Sequence, residues 1–307
     1  MQRRQRILCF SLGILAVTSA FALPPMMSGS RVMQPAVFEH EAPIPLSEAR
    51  HHVRLPSLRL MTLNMAHGRG NDAYRVFQKG SEVEVNLDDI VTVLRREAPD
   101  IVALQEVDGP SIWSGMRDQV EYLAHKGGFP YSLRGEHVKG MKLSYGTALL
   151  SRIPLREPVS ITFSPSPPTL SKGFVVATVT WPGDPAIEID VISLHLDFSR
   201  NSVRQRQMED IIDLLSSRNR VSIVMGDFNC EWQARDSALH MLAEQCSLKG
   251  YQTGQAAGME TFPLLGKRLD WVLISSDLEF TVYRVLEDPI SDHRGVLCEI
   301  QTIEGMS

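Results

Sequence analysis

Several apolar runs in this chain stop abruptly on side chains of a restricted chemical kind. Asn64 follows Leu60-Met61-Thr62-Leu63, Glu106 follows Val102-Ala103-Leu104-Gln105, His195 follows Val191-Ile192-Ser193-Leu194, and Asp227 with Asn229 follows the run 221–225. The last third adds Arg268-Leu269-Asp270-Trp271 and then Ser291-Asp292-His293. Carboxylates, amides and imidazoles bind hard cations and move protons, and proteins mount such groups where a rigid scaffold meets its loops. Singly, each has an ordinary reading: Asn64 and Asn229 as turn caps, Glu106 as a surface carboxylate, His195 as a satisfied, partly buried imidazole, Gly226-Asp227-Phe228-Asn229 as a turn. In combination they suit hydrolysis. A carboxylate beside a histidine fixes its tautomer and raises its basicity, a part open to Asp270. Asp292 is then left for a metal, and an oxygen-rich set without a cysteine cluster suits magnesium or calcium better than zinc.

Side chains of this kind need strands that bring them to a common edge. Apolar runs rich in β-branched residues predict strands at 58–65, 101–105, 147–150, 175–180, 187–194, 221–225, 271–274 and 296–300, and amphipathic spacing predicts helices at 87–96 and 203–215. Helical crossovers alternate with directly successive strands, which fits neither a simple doubly wound sheet nor an all-β sandwich. Two sheets with helices outside them satisfy the pattern.

The 307 residues, 43% hydrophobic and 22% charged, suffice for one large globular domain. Residues 1–6 carry three arginines, 7–18 are almost wholly apolar, and Ala20-Phe21-Ala22 offers small residues for cleavage. This predicts a signal peptide over 1–22, since the apolar run is shorter than the roughly 20 residues of a bilayer span. Export to the periplasm or medium is expected, with no stable membrane span after cleavage. Residues 23–56, with six prolines and no periodicity, read as a proline-rich extended leader, and 57–303 as the catalytic domain. Cleavage removes three of the 31 basic residues and none of the 36 acidic ones, leaving 28 against 36, a net charge of −8. Such a surface gives no support for broad capture of polyanions, although a metal would supply local positive charge. Cys230, Cys246 and Cys298 remain beyond the signal, an odd set that leaves one disulfide and packed thiols both open.

In order, Thr62-Leu63-Asn64, Gln105-Glu106-Val107, residues 145–152 (Tyr-Gly-Thr-Ala-Leu-Leu-Ser-Arg), Ser193-Leu194-His195-Leu196, Gly226-Asp227-Phe228-Asn229, Arg268-Leu269-Asp270 and Ser291-Asp292-His293 resemble the endonuclease/exonuclease/phosphatase superfamily across 58–300. The resemblance implies an α+β, four-layer α/β/β/α sandwich, two mixed sheets packed face to face with helices outside, and a site at one edge. It implies that Asn64 and Glu106 hold a divalent metal with Asp292 close by, Mg2+ or else Mn2+ or Ca2+. His293 would act on the attacking water or the transition state with Asp270 orienting it, Asp227 and Asn229 would position the nucleophile and bind phosphate, and His195 would contact phosphate. No covalent enzyme intermediate is implied.

The substrate is expected to be a phosphate ester, with nucleic acid, a phospholipid headgroup and an inositol phosphate all open and no protein partner expected. A phosphodiesterase is favoured over a phosphomonoesterase of the inositol-phosphate type. A binding protein that has lost activity is disfavoured, because every site position keeps an active residue type. His67 and Arg69, in the glycine-flanked loop after Asn64, are expected to touch substrate, with Tyr145 closing the segment 137–145 that carries Lys139 and Lys142. Arg204 and Gln207, one turn apart, form an Arg-x-x-Gln pair that either reaches substrate or anchors its helix against the site loops.

Overall fold

The computed structural model describes residues 29–40, 57–71, 79–140, 142–235, 237–255 and 257–303; the expected signal peptide and most of the leader lie outside them. Among the described residues fourteen strands occur: β1 (Arg31–Met33), β2 (Val37–Glu39), β3 (Ser57–Asn64), β4 (Ile101–Asp108), β5 (Tyr131–Gly140), β6 (Leu143–Ser151), β7 (Arg156–Thr162), β8 (Gly173–Thr180), β9 (Glu188–His195), β10 (Val221–Asp227), β11 (Leu248–Gly250), β12 (Asp270–Ser275), β13 (Leu278–Val285) and β14 (Val296–Thr302). The helices are α1 (Gly80–Glu97), α2 (Gln119–Gly127), α3 (Asn201–Arg218) and α4 (Ala238–Gln245). The strands form two seven-stranded sheets, β1-β7-β8-β9-β10-β12-β11 and β13-β14-β3-β4-β6-β5-β2.

Burial on both faces explains why the central strands read as near-continuous apolar runs. Leu58, Leu60, Ile101, Ala103, Val191 and Ile223 fill the core between the sheets. Their neighbours Met61, Leu63, Val102 and Leu104 pack under Val83, Leu87 and Ile90 of α1, while Ile192, Leu194 and Val224 pack under Met208 and Ile211 of α3. The result is the expected four-layer α/β/β/α sandwich. Helix α1 ends at Ala98 in the left-handed region (φ 45°), immediately before Pro99, which cannot continue it.

Both expected helices occur and run longer at each end. The apolar pattern marks neither strands β1, β2, β5, β7, β11 and β13 nor helices α2 and α4. Strand β5 carries Arg134, Glu136, His137 and Lys139, and the outer strand β13 is buried only at intervals, so neither makes an apolar run. The leader reading needs a correction: β1 pairs with β7 and β2 with β5, so residues 29–40 complete one edge of each sheet rather than lying outside the domain.

Register brings the polar strand ends together. In the parallel pairs, Asn64 stands opposite Gln105 and Asp227 opposite His195; in the antiparallel pair, Asp227 stands opposite Asp270 at the start of β12. Strand β14 runs antiparallel to β3, so the loop carrying Asp292 and His293 enters at the same edge.

Candidate active site

Local backbone features aim the side chains. A bulge in β4 between Gln105 and Val107 puts Glu106 in the left-handed region (φ 48°) and turns it into the site. Gly226 (φ 148°) lies so close to β9 that a Cβ there would sit 2.0 Å from the Leu194 carbonyl oxygen; only glycine lets β10 deliver Asp227 beside His195. Asn229 adopts φ 51°, a conformation asparagine tolerates, and its amide donates to the Leu196 carbonyl at 3.0 Å.

Asp227 stands at the centre. Its Oδ2 accepts from Asn64 Nδ2 (3.0 Å) and its Oδ1 from the Asn229 backbone N–H (2.9 Å), while His195 Nε2 and His293 Nε2 lie 3.5 and 3.9 Å from Oδ2. His293 Nδ1 donates to Asp270 Oδ2 at 2.8 Å, and the Phe262 ring packs on the His293 ring at 4.8 Å. Ser291 Oγ donates to the Asn64 carbonyl (2.7 Å), fixing the loop that carries Asp292 and His293 to the end of β3. Lys172 Nζ lies 3.1 Å from His195 Nε2 and 3.4 Å from Glu106 Oε1. His67 Nε2 is 3.3 Å from Glu106 Oε2 and its Nδ1 is 2.7 Å from Asp108 Oδ1.

The environment sorts these groups by charge. Burial, then the charge of Asp270, raises Asp227 above the usual carboxylate range. Burial opposes a charge on His293, yet Asp270 and Asp227 outweigh it and raise the imidazole to about 10, so it is a cation at neutral pH. Burial and then Lys172 hold His195 well below its ordinary value, so it is neutral. Burial pushes Glu106 up, but Lys172, His67, His195 and His293 together hold it ionised, far below the usual carboxylate range. Burial also raises Asp292.

Asp227, Asp270 and His293 offer ligand-type atoms within 4.8 Å of one another. With Nδ1 engaged by Asp270 and the ring held as a cation, His293 presents Nε2–H, so this trio could handle protons. Glu106 is ionised and faces the site, so its carboxylate could hold a cation, with Lys172 Nζ 3.4 Å from its Oε1.

Asn64, Glu106, His195, Asp227, Asn229, Asp270 and His293 therefore converge at one edge. His67 lies there too, but both its ring nitrogens are turned to carboxylates. Tyr145 is buried with its ring edge-on to His67 at 4.9 Å, and Arg69 lies over Trp113 at 5.4 Å. Arg204 Nη1 donates to the Asp197 carbonyl (3.0 Å) and Gln207 Oε1 accepts from the Asp197 N–H (2.8 Å), so this pair anchors the loop after His195. Lys139 pairs with Glu136, and Cys230, Cys246 and Cys298 are free thiols. Lys172, Asp108 and Phe262 were missed: each is a common residue type at a strand start, a strand end or a loop, and only folding supplies its partner.

The profile of the Endonuclease/Exonuclease/phosphatase family matches residues 61–293. Among solved structures, the fold is similar to an endonuclease/exonuclease/phosphatase from Beutenbergia cavernae (TM-score 0.61, 20% identity, 80% of this chain and 72% of that one). It is likewise similar to the human Nocturnin catalytic domain with bound sulfate (TM-score 0.60, 17% identity, 88% and 98%) and to a humanized D. rerio TDP2 (TM-score 0.58, 16% identity, 80% and 100%). No curated protein matches the sequence.

Proposed function

This chain belongs to the endonuclease/exonuclease/phosphatase family, and we propose that it is an exported, divalent-metal-dependent phosphoesterase acting on a phosphodiester of nucleic-acid or phospholipid-headgroup type. The observation that carries the reading is the Asp270–His293 pair at 2.8 Å, with His293 Nε2 facing an Asp227 held by Asn64.

Asp227 takes the proton of the attacking water; its raised affinity for a proton suits that transfer near neutral pH, and Asn64 and Asn229 hold its two oxygens in place. His293 stays protonated between Asp270 and Asp227 and presents Nε2–H to a phosphoryl oxygen as negative charge grows there. Lys172 and His195, 3.1 Å apart, supply a second set of polar groups for the phosphate. A divalent ion on Glu106, with Asn64 and Asp292 beside it, would neutralise phosphoryl oxygens and stabilise the leaving oxygen; magnesium suits the oxygen ligands, with manganese or calcium as alternatives. Export is supported by the basic, apolar and small-residue order of residues 1–22.

The test is turnover by the purified chain of plasmid DNA, RNA, sphingomyelin, an inositol polyphosphate and bis-(nitrophenyl) phosphate, with each metal and then with chelator. Metal-dependent cleavage of a diester is expected. Turnover of the inositol polyphosphate alone would replace this reading with a phosphomonoesterase, and no turnover together with no calorimetric metal binding would favour an inactive binding protein.

A further inference from the structure

A second aspartate–histidine pair, Asp108–His67, faces Glu106 and has no part in the proton handling described above. Asp108 is fully buried and accepts from His67 Nδ1 at 2.7 Å. Because an ionised carboxylate only accepts, Nδ1 donates to Asp108, and Nε2 faces Glu106 Oε2 at 3.3 Å, where a bound cation would take the place of a hydrogen. The other Asp108 oxygen accepts from Trp113 Nε1 (2.7 Å) and from Ser114 Oγ. Buried Gln119 bolts the two partners together: its Oε1 accepts from the Asp108 N–H (2.9 Å) and its Nε2 donates to the His67 carbonyl (2.8 Å). Ala66 and His67 occupy the left-handed region (φ 45° and 59°), a backbone conformation that costs free energy for residues other than glycine. The rings of Trp113 and Tyr145, at 4.8 and 4.9 Å, close on the imidazole.

The same molecule shows what a histidine with a purely packing role looks like. His137 is buried in β5 with Thr147 and Thr162 hydroxyls on its two nitrogens and no carboxylate on either. His67 is built differently: every contact fixes one ring orientation, with Nε2 against the carboxylate that would hold an ion.

We propose that His67 is a nitrogen ligand of the ion held at Glu106, with Asp108 as the outer partner that sets its tautomer. The proposal rests on the reading of Glu106 as a metal-binding residue and replaces the substrate contact that the glycine-flanked loop suggested. Ligand atoms about 2.1 Å from an ion and at right angles are about 3 Å apart, so a 3.3 Å Nε2–Oε2 separation matches one edge of a coordination shell. A carboxylate–histidine–metal arrangement is the common way a protein fixes an imidazole ligand. An imidazole in the shell shifts preference from magnesium and calcium toward manganese and later divalent ions.

The experiment uses the purified chain with Mn2+ alone, read by calorimetry and by electron spin-echo modulation from coordinated 14N. Wild type is expected to show directly bound imidazole nitrogen. His67→Asn, chosen because asparagine accepts the left-handed backbone, is expected to lose that signal and about tenfold or more in Mn2+ affinity while keeping its circular dichroism. Should this variant fail to fold, wild type with 15N-labelled histidine serves instead: the modulation must change if the nitrogen is from histidine. Mn2+ binding that Glu106→Gln abolishes, with no nitrogen modulation or with modulation unchanged in folded His67→Asn, would overturn the ligand role and leave the Glu106 site standing. No Mn2+ binding in wild type would overturn both.

Discussion

Asp270 and His293 are 23 positions apart in sequence and 2.8 Å apart in space, and their pairing sets the charge of the imidazole. His293→Gln is expected to lower kcat by about 10²–10⁴-fold with KM and circular dichroism little changed, the range for a lost acid–base group. Steady-state kinetics check it, and a loss confined to KM would contradict the role. Lys172→Met is expected to act differently, raising KM several-fold with kcat little changed, because a lysine placed against Glu106 and His195 would bind the phosphate in ground and transition states alike. The strand-end residues were legible because a polar side chain that stops an apolar run is conspicuous. Lys172 was not, since a lone lysine before a strand is usually a solvated one; its meaning comes from Glu106 and His195, 66 and 23 positions away.

At the level of elements, five strand ends, those of β3, β4, β9, β10 and β12, and the loop carrying Asp292 and His293 must arrive at a single edge. Two parallel registers and one antiparallel register accomplish this, with the Asp197 loop pinned by Arg204 and Gln207 of α3. The central strands were legible because both of their faces are buried. Strands β1 and β2 were not, because three-residue edge strands in a proline-rich stretch carry no periodicity. They cover the sheet edges opposite to those formed by β11 and β13. Deleting residues 1–40 is therefore expected to lower Tm by about 2–8 °C and to promote association through the bared β5 and β7 edges, with kcat within about twofold of the full exported chain. Calorimetry and light scattering check this; a large loss of kcat with the fold retained would show that the arm reaches the site.

Across the whole molecule, two buried histidines oppose each other in pH dependence. His137 is lowered to about 3 by burial, then by the charge of Lys172. Its unfolded form takes up a proton below about 6.5 while the folded form does not, so its stability contribution is complete above 6.5 and is lost as pH falls toward 3. His293 is raised to about 10, so its contribution is complete below about 6.5 and is lost as pH rises toward 10. Chemical denaturation of the ion-free chain should show a maximum near pH 6–7, with each histidine adding up to about 1.4 kcal/mol per pH unit to its limb. His137→Gln, which keeps polar atoms for Thr147 and Thr162, should flatten the acid limb alone; an unchanged limb would mean that carboxylates control it. No helix among the described residues is long and apolar enough to cross a membrane.

The most direct measurement is hydrolysis of bis-(nitrophenyl) phosphate by the wild-type chain and by His293→Gln, each saturated with magnesium or manganese and then stripped with chelator. The expected result is turnover by wild type that chelator removes and metal restores, with a loss of at least about 10²-fold in the variant at unchanged metal affinity. Chelator-resistant turnover, or a His293→Gln variant as active as wild type, would contradict a metal-assisted phosphoesterase centred on Glu106, Asp227 and His293.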